Sequence, residues 1–297
     1  MNLQDLSKSL ADAVESVGRS VVRVEGRSRP VSGTVFSAEG HVIAISHTVE
    51  HDEDVECGLP DGRTARGKVL GRDPGTDLAL LRVEASDLHA APWADIEGAR
   101  VGQILVGVYR PGRTTRATFG VLGALGKDWR TRFGGKIDHY VEASLPLHPG
   151  FSGGLLADAS GRALALATSG LMRGVALGIP ASTVKRVAEA LLSHGRVRRG
   201  YLGVGSYPVA LAPPLQSSRN QATGLLILSV QGGSPAAKAG LLVGDTIVAV
   251  DGRATAEPAD LLPALDEDQV GREALLRVVR GGELRDVRVT IAERGPV

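Results

Sequence analysis

Short apolar runs separated by turn residues dominate the chain from Ser20 to about Ile179. One such turn, Pro60-Asp61-Gly62-Arg63, separates two of these runs. This spacing is typical of antiparallel strands that close into barrels or sandwiches. A parallel β/α architecture is disfavoured because no helical segments alternate with the strands.

Helical periodicity is present at two places in this part of the chain. Near the start, apolar residues recur at intervals of three and four, which predicts an amphipathic helix over residues 1–18 that packs on the protein body. Residues 182–192 predict a second helix, with Ser182 as its N-cap and Gly195 as its end. The basic residues 196–200 that follow are interpreted as a linker.

The C-terminal part predicts a smaller unit of strands and short helices. Ser234-Pro235 has the N-cap and first-position proline of a short helix that ends at Gly240. Strands are also expected over Leu225–Val230 and Thr246–Val250, and a helix over Pro258–Leu265. Leu275–Val279 and Val287–Ile291 are expected to be the two strands of a hairpin. We therefore expect a first domain over 19–195 and a second over 201–293.

Composition supports a globular protein of two domains. The 297 residues are 43% hydrophobic and 23% charged, which is too apolar for a disordered chain. The net charge of +1 gives no case for a nucleic-acid or membrane partner. The single cysteine, Cys57, excludes an intramolecular disulfide. No apolar run approaches the roughly 18 residues of a membrane span.

Charged residues interrupt the apolar positions at the N-terminus, so no export signal is recognised there. The sequence as written predicts a cytoplasmic protein. If a leader has been removed, a periplasmic or extracellular location is expected instead.

The strongest chemical motif surrounds Ser152 in Pro149-Gly150-Phe151-Ser152-Gly153-Gly154. A nucleophilic serine needs a tight turn and backbone N–H groups that face the developing oxyanion. The motif also fits the Gly-x-Ser-x-Gly elbow of α/β-hydrolases. Two short strands follow it here instead of a helix, which disfavours that alternative.

His47 and Asp77 each lie at one end of an apolar run, and both precede Ser152. The order histidine, aspartate, serine is that of chymotrypsin-like proteases, in which the three side chains meet in the cleft between two barrels. A zinc site is the alternative for one of these residues, because His47-Thr48-Val49-Glu50-His51 matches the His-x-x-Glu-His pattern. That site needs a continuous helix, whereas the preceding residues predict a strand.

Several motifs together resemble the HtrA (DegP-like) serine proteases. The resemblance extends from about residue 10 to 293, and its most specific parts are the aspartate stretch and the serine motif. The similar segments are Ser46-His47-Thr48-Val49, Asp73-Pro74-Gly75-Thr76-Asp77-Leu78-Ala79-Leu80-Leu81, Pro149-Gly150-Phe151-Ser152-Gly153-Gly154 and Gly178-Ile179-Pro180. It implies a mainly β fold, a chymotrypsin-like double β-barrel followed by a PDZ domain.

The resemblance also implies roles for individual residues. His47 would be the general base, Asp77 would orient it, and Ser152 would attack the peptide carbonyl. The backbone N–H groups of Gly150 and Ser152 would form the oxyanion hole. Phe151 departs from the asparagine usual in the family, and Leu155 and Ser46 are further departures that remove no catalytic group.

The residues just before the serine motif predict the substrate preference. Leu145 and Leu147 are expected to line the pocket for the side chain on the acyl side of the scissile bond. With no acidic residue there, small or medium aliphatic side chains are expected, because an unpaired Lys or Arg would be costly to bury.

The second domain contains a segment similar to the carboxylate-binding loop of HtrA-type PDZ domains, Tyr201-Leu202-Gly203-Val204. The glycine allows backbone N–H groups to gather on a terminal carboxylate, and an exposed strand edge accepts a peptide. C-terminal peptides are the expected partners at this loop. A packing domain without a ligand is the alternative.

The sequence therefore predicts an ATP-independent serine endopeptidase of HtrA type that acts on unfolded or damaged proteins, in protein quality control and stress response. It predicts no cofactor and no metal. The alternatives are a catalytically inactive PDZ scaffold or chaperone-like binder and a non-peptidase hydrolase. Family members are commonly trimers through aromatic residues near the N-terminus, but no aromatic residue precedes Phe36 here.

Overall fold

The computed structural model describes residues 2–172 and 174–295; Met1, which the predicted N-terminal helix included, lies outside them. The chain divides into two compact units, residues 1–197 and 198–297. Each unit has hydrophobic clusters of its own, and each is described separately.

The first unit begins with helix α1 (Leu3–Gly18), as the apolar periodicity predicts. Asn2 caps it, since its side chain accepts a hydrogen bond from the N–H of Asp5 while the Asp5 side chain accepts one from the N–H of Asn2. Val17 is fully buried in a cluster with residues of the second barrel. At the other end, the buried Arg110 donates to the carbonyl of Gly18 and so fixes the end of the helix.

Six strands close into the first barrel in the order β1-β2-β3-β6-β5-β4. A 3₁₀ turn, Ser46–Thr48, follows β3. The strands are β1 (Val21–Val24), β2 (Val31–Ser37), β3 (His41–Ile45), β4 (Val55–Gly58), β5 (Thr64–Asp73) and β6 (Leu78–Val83). Inward-facing aliphatic side chains and the fully buried Cys57 fill the barrel.

The second barrel is also closed, in the order β11-β14-β13-β12-β7-β8. Its strands are β7 (Ile104–Tyr109), β8 (Arg116–Leu125), β11 (Val141–Ser144), β12 (Leu155–Asp158), β13 (Ala163–Thr168) and β14 (Ala176–Pro180). Two short strands, β9 (Trp129–Arg130) and β10 (Lys136–Ile137), form a separate pair in a loop. The double barrel agrees with the architecture expected from the strand-like runs.

Helix α2 (Ala181–His194) follows β14 directly. The prediction of Ser182 as its N-cap is wrong, because the helix begins at Ala181 with Pro180 as the cap residue. Since the strand runs straight into the helix, Ser182 already lies in the first turn, and its hydroxyl is buried without a hydrogen-bond partner among the described residues. Gly195 ends the helix with φ 69°, a left-handed conformation that glycine adopts readily.

The second unit is built on a sheet in the order β16-β17-β18-β20-β21, with β19 paired to β18. Its strands are β15 (Gly200–Tyr201), β16 (Val204–Ala210), β17 (Thr223–Val230), β18 (Thr246–Val250), β19 (Arg253–Ala254), β20 (Glu273–Arg280), β21 (Glu283–Thr290) and β22 (Ala292–Glu293). Gly200, which the sequence analysis assigned to the linker, pairs in β15 with β22.

Two α-helices and two 3₁₀ segments accompany this sheet: α3 (Pro213–Arg219), α4 (Pro235–Lys238), Pro258–Leu265 and Glu267–Gln269. Ser234 caps α4 through the N–H of Ala237, as predicted. The segment expected to be helical, Pro258–Leu265, is a 3₁₀ helix with Pro263 inside it, and proline cannot donate the backbone hydrogen bond of an α-helix. No helix in 2–172 or 174–295 combines the length and apolar character needed to cross a membrane.

Candidate functional site

His47 and Asp77 form a close pair in the first barrel. His47 lies in the 3₁₀ turn after β3, and Asp77 immediately precedes β6, which pairs with β3. The Nδ1 atom of His47 is 2.6 Å from Oδ2 of Asp77, and the His47 backbone N–H donates to Oδ1 at 3.0 Å. Two contacts to one carboxylate fix both the backbone and the ring of the histidine.

A network of hydrogen bonds holds the loop that carries Asp77. The buried carboxylate of Asp73 accepts hydrogen bonds from the N–H of Gly75, the N–H of Thr76 and the Thr76 hydroxyl. Asp77 itself has φ 63°, a left-handed conformation that aspartate tolerates better than most residues. Thr131, in the loop between β9 and β10, donates its hydroxyl to the carbonyl of Gly75, which ties the two loops together.

The pKa of His47 is raised above its ordinary value of 6.5. The hydrogen bond to Asp77 is the main cause, and the negative charge of Asp77 adds to it. Partial burial of the ring acts in the opposite direction. The imidazole is therefore a stronger base than a free histidine, as a general base should be.

Ser152 follows a tight turn formed by residues 148–151. The N–H of Phe151 donates to the carbonyl of His148 at 3.1 Å, and Gly150 has φ 81°. Because Pro149 holds φ near −65° and Gly150 is left-handed, this is a type II turn. Among the described residues, neither the Gly150 N–H nor the Ser152 N–H donates a hydrogen bond, so both remain available to an oxyanion.

Strand β2 of the first barrel anchors this loop. The Ser32 hydroxyl donates to the carbonyl of Gly150 at 2.7 Å, and the Thr34 hydroxyl donates to that of Gly153 at 2.9 Å. A Cβ on Gly153 would lie 1.9 Å from the carbonyl oxygen of Ser32, so only glycine fits there. Neither Ser32 nor Thr34 was predicted as a functional residue, because only the packing of the two barrels brings their buried hydroxyls to this loop.

The hydroxyl of Ser152 contacts Ser169, a residue that the sequence analysis did not identify. The two Oγ atoms are 3.1 Å apart, and the Ser169 N–H donates to Ser152 Oγ at 3.2 Å. Within the described part of the chain, no hydrogen bond joins Ser152 Oγ to His47. The structure thus brings all three predicted residues to one site with the nucleophile turned toward Ser169.

Gly170 leaves the space that the imidazole of His47 occupies. A Cβ at this position would lie 2.4 Å from Cε1 of His47 and 3.1 Å from Oδ2 of Asp77. Ser169 and Gly170 together therefore contact all three predicted triad residues from the end of β13. No local motif in the sequence marks these two positions, because the contacts span both barrels.

An open cavity of about 600 Å³ contains the exposed faces of His47 and Ser152. Leu147 lines it, as predicted for the substrate pocket. Leu145 does not; it packs against the core of the second barrel, where it lies beside Phe151. Phe151 is among the residues that line the cavity, but it is 2% exposed and its ring meets the Tyr109 ring edge-on at 5.9 Å, so its side chain stabilises the loop from inside.

The zinc alternative requires His47 and His51 on one helical face. The 3₁₀ turn ends at Thr48, and Val49 is extended with φ −88° and ψ 116°. The two imidazoles are therefore not presented by a continuous helix. His47 is bound to Asp77, while the His51 side chain is 80% exposed.

The predicted carboxylate loop lies between β15 and β16 of the second unit. Gly203 has φ 82°, and a Cβ there would lie 2.2 Å from that of Ser234, so glycine is required. The carbonyls of Leu202 and Gly203 accept hydrogen bonds from Ala236 and Gln231, respectively. The Tyr201 hydroxyl donates to the side chain of Gln231. These contacts fix the loop, with the Leu202 side chain buried in the core.

Strand β16, which begins at Val204, is an edge strand that pairs only with β17 among the described strands. Its other edge is available for an added strand, and the 3₁₀ helix Pro258–Leu265 contacts the same strand. An extended peptide can add to such an edge through main-chain hydrogen bonds.

Comparisons with known proteins agree with this organisation. Residues 31–166 match the trypsin-like peptidase domain family, and residues 200–291 match the PDZ domain family. A Brucella suis protein named "Probable periplasmic serine endoprotease DegP-like" is 34% identical over 279 residues, which cover 90% of this chain and 54% of that protein. A Chlamydia muridarum protein of the same name is 30% identical, with 88% and 54% covered. The chain spans about half the length of these curated relatives.

Solved structures of similar proteins extend over nearly the whole chain. The structure titled "HtrA-type protease AlgW with decapeptide" has a TM-score of 0.77 and 26% identity, covering 97% of this chain and 99% of that one. The structure titled "HtrA-type protease AlgW with tripeptide" has a TM-score of 0.76 and 28% identity, covering 97% and 98%.

These matches confirm the resemblance and the fold class predicted from the sequence. The two closed barrels form a trypsin-like peptidase domain, and the second unit is a PDZ domain. The chain is thus an HtrA/DegP-like protein, with one trypsin-like peptidase domain followed by one PDZ domain.

Proposed function

We propose that this protein is an ATP-independent serine endopeptidase that cleaves unfolded or damaged proteins. The observation that carries the proposal is the placement of Ser152 and the His47–Asp77 pair at one cavity, beside a turn with two free N–H groups. The names of the relatives, serine endoprotease and HtrA-type protease, support the same reaction.

In the proposed reaction, the Ser152 hydroxyl turns from Ser169 toward Nε2 of His47 and attacks the peptide carbonyl. His47 accepts the hydroxyl proton, and Asp77 stabilises the imidazolium through its 2.6 Å contact with Nδ1. The developing oxyanion accepts hydrogen bonds from the N–H groups of Gly150 and Ser152. His47 then donates the proton to the leaving amine, and water hydrolyses the acyl-enzyme in a second round of the same steps.

Digestion of casein by the wild type and by Ser152→Ala tests the proposal. We expect proteolysis to fall by several orders of magnitude in the variant, while the circular dichroism spectrum stays that of the wild type. Retained proteolysis in a pure preparation of the variant would contradict the assignment of the nucleophile. EDTA should leave the wild-type rate unchanged, because no step uses a metal.

The acyl-side preference remains part of the proposal. Leu147 lines the cavity, and Leu145 packs against the core of the second barrel. The segment just before the Ser152 motif is therefore apolar. We expect cleavage after small or medium aliphatic residues, measured by mapping cut sites in a denatured substrate. Dominant cleavage after Lys or Arg would contradict this pocket assignment.

The PDZ domain is proposed to bind C-terminal peptides through the Tyr201–Val204 loop and the edge of β16. The similar AlgW structures are named "with decapeptide" and "with tripeptide", which supports a peptide ligand for this fold. A peptide acid should bind more tightly than its C-terminal amide in isothermal titration. Equal affinities would show that the loop does not read the carboxylate. Bound peptide changes casein turnover only if it binds two protease states unequally.

A catalytically inactive, chaperone-like binder is the second candidate, and the contact between Ser152 and Ser169 favours it. A fluorophosphonate reagent separates the two, because it labels only an activated serine. Labelling of the wild type but not of Ser152→Ala would support the peptidase.

We also propose that the protein is located in the periplasm, because the names of the relatives state this location for them. Fractionation of cells that express the natural gene tests this location.

A further inference from the structure

We propose that the catalytic cavity contains a cationic subsite, formed by Arg27 and Arg29, that selects acidic side chains on the leaving-group side of the scissile bond. The inference rests on the proposed peptidase function, because it concerns the same cavity. The subsite adds a preference for acidic residues after the scissile bond, which the aliphatic pocket before the bond does not determine.

The subsite belongs to the loop between β1 and β2. Arg27, Ser28 and Arg29 line the cavity that also contains His47 and Ser152. Among the described residues that line this cavity, none is an aspartate or a glutamate. A substrate chain bound at Ser152 must pass these residues, so their charges act on every substrate.

Arg27 and Arg29 are less closely paired with carboxylates than several other arginines of the first unit. Arg23, Arg63 and Arg72 each contact a carboxylate at 3.1 Å or less. Arg27 reaches Glu50 only at 3.8 Å, and its side chain is 71% exposed. Arg29 has no ion pair within the described part of the chain and is exposed. Among the described residues, no carboxylate pairs with either arginine closer than 3.8 Å, so the positive charge of the loop is only partly neutralised.

Backbone contacts place the loop next to His47. The N–H of Arg27 donates to the carbonyl of Thr48, the residue after the histidine. A Cβ on Gly26 would lie 3.1 Å from the same carbonyl and 2.6 Å from that of Arg29, so the loop is tightly folded at this point. The backbone of the loop is thereby fixed where Arg27 and Arg29 line the cavity.

The position of His47 decides which side of the substrate meets this loop. His47 gives its proton to the leaving amine, so the residues after the scissile bond depart past the histidine. The apolar acyl-side wall belongs to the segment before Ser152 in the second barrel. The first two residues after the scissile bond therefore lie against Arg27 and Arg29, whose planar guanidinium groups bind carboxylates in a fork geometry.

Quenched fluorescent peptides with one aliphatic residue before the scissile bond test the proposal. Asp, Asn or Lys is placed at the first or second position after the bond. We expect kcat/KM to fall in the order Asp, Asn, Lys, with about two- to fivefold between steps, since the ion pairs are exposed. The differences should shrink as salt is raised.

Variants of the loop give the second arm of the test. Arg27→Glu/Arg29→Glu should reverse the preference between the Asp and Lys peptides. Arg100→Glu/Arg116→Glu is the matched control, because it changes the net charge by the same amount at two exposed arginines that do not line the cavity. The control should keep the wild-type order. An equal shift in both variants would overturn the subsite, because it would show an effect of net charge alone.

Measurements of peptide affinity test the cationic subsite separately from the proposed peptidase activity. Fluorescence anisotropy of the Ser152→Ala variant with the same peptides should show the same order of affinities. Wild-type cleavage with equal rates for all three peptides would overturn the subsite and leave the peptidase standing. Tighter binding of the Asp peptide without any cleavage would support the subsite and overturn the peptidase. A preference confined to positions before the scissile bond would also overturn the assignment.

Discussion

At the scale of single residues, the contact between His47 and Asp77 sets the pH range of the proposed reaction. The hydrogen bond from the ring to Asp77 raises the pKa of His47 above 6.5, and only the neutral imidazole can accept the serine proton. Activity should therefore fall as the pH drops through this raised pKa. The acid limb of kcat/KM against pH is expected above 6.5.

Asp77→Asn tests this origin of the pKa. The substitution removes the negative charge and, with the amide oxygen accepting from the His47 N–H, turns an NH₂ donor toward Nδ1, so the acid limb should move to lower pH. The rate should fall by about 10³- to 10⁴-fold at neutral pH, by analogy with other triads. An acid limb at the same pH in variant and wild type would show that Asp77 does not control the histidine.

Ser169 is the second residue-scale test. Its hydroxyl competes with His47 for the hydroxyl of Ser152, while its N–H holds the same oxygen. Ser169→Ala removes only the hydroxyl, so labelling of Ser152 by a fluorophosphonate should become faster by about fivefold, the value of one hydrogen bond of about 1 kcal/mol. Ser169→Thr keeps a hydroxyl and should stay near the wild-type rate. Slower labelling of Ser169→Ala would indicate that the contact assists attack.

At the scale of elements, an ion pair with a buried carboxylate joins Arg280, at the end of β20, to Asp245, the residue before β18, in the PDZ domain. Asp245 is 1% exposed, and Arg280 contacts both of its oxygens, at 2.7 and 2.6 Å. Burial acts to raise the pKa of Asp245, but hydrogen bonds from Arg280 and from the N–H of Leu242 outweigh it and lower the pKa below 3.8. Its contribution to stability is therefore present above pH 3.8 and is lost as the pH falls through the lowered pKa.

Arg280→Ala should lower the urea midpoint of the PDZ domain, because it leaves a buried carboxylate without its cation. Arg277→Ala is the matched control on the same strand. Arg277 pairs with Asp286 at 2.7 Å, but both side chains are nearly half exposed, so its loss should change the midpoint little. Similar midpoints for the two variants would contradict the role assigned to the buried pair.

At the scale of the whole molecule, two units with separate cores should unfold in separate steps. Both tryptophans, Trp93 and Trp129, lie in the first unit, as does Cys57. Burial raises the pKa of the Cys57 thiol to about 12, so the folded barrel should not react with a disulfide reagent.

In urea, tryptophan fluorescence and Cys57 labelling should report one transition. Far-ultraviolet circular dichroism should show a second transition, and Arg280→Ala should move that one alone. A single transition that all three measurements follow, and that Arg280→Ala shifts, would show that the units unfold together.

The strand-rich double barrel was predictable because the turn residues and alternating apolar positions are local signals. The same holds for α1, whose apolar positions follow the helical period, and for Ser234 as the cap of α4. Ser182 was predicted wrongly because the start of α2 depends on where β14 ends. Strand β16 and helix α3 were not predicted, since glycine, proline and polar residues obscure the periodicity there.

The sequence by itself determined the barrels, the second domain and the order of His47, Asp77 and Ser152, because these depend on neighbouring residues and on recognisable motifs. The tertiary structure decided that Ser32 and Thr34 hold the nucleophile loop and that Ser169 contacts Ser152. Two of these three contacts join residues more than 100 positions apart, on different barrels. Such contacts leave no local pattern in the sequence, because only barrel closure brings the atoms within hydrogen-bonding distance.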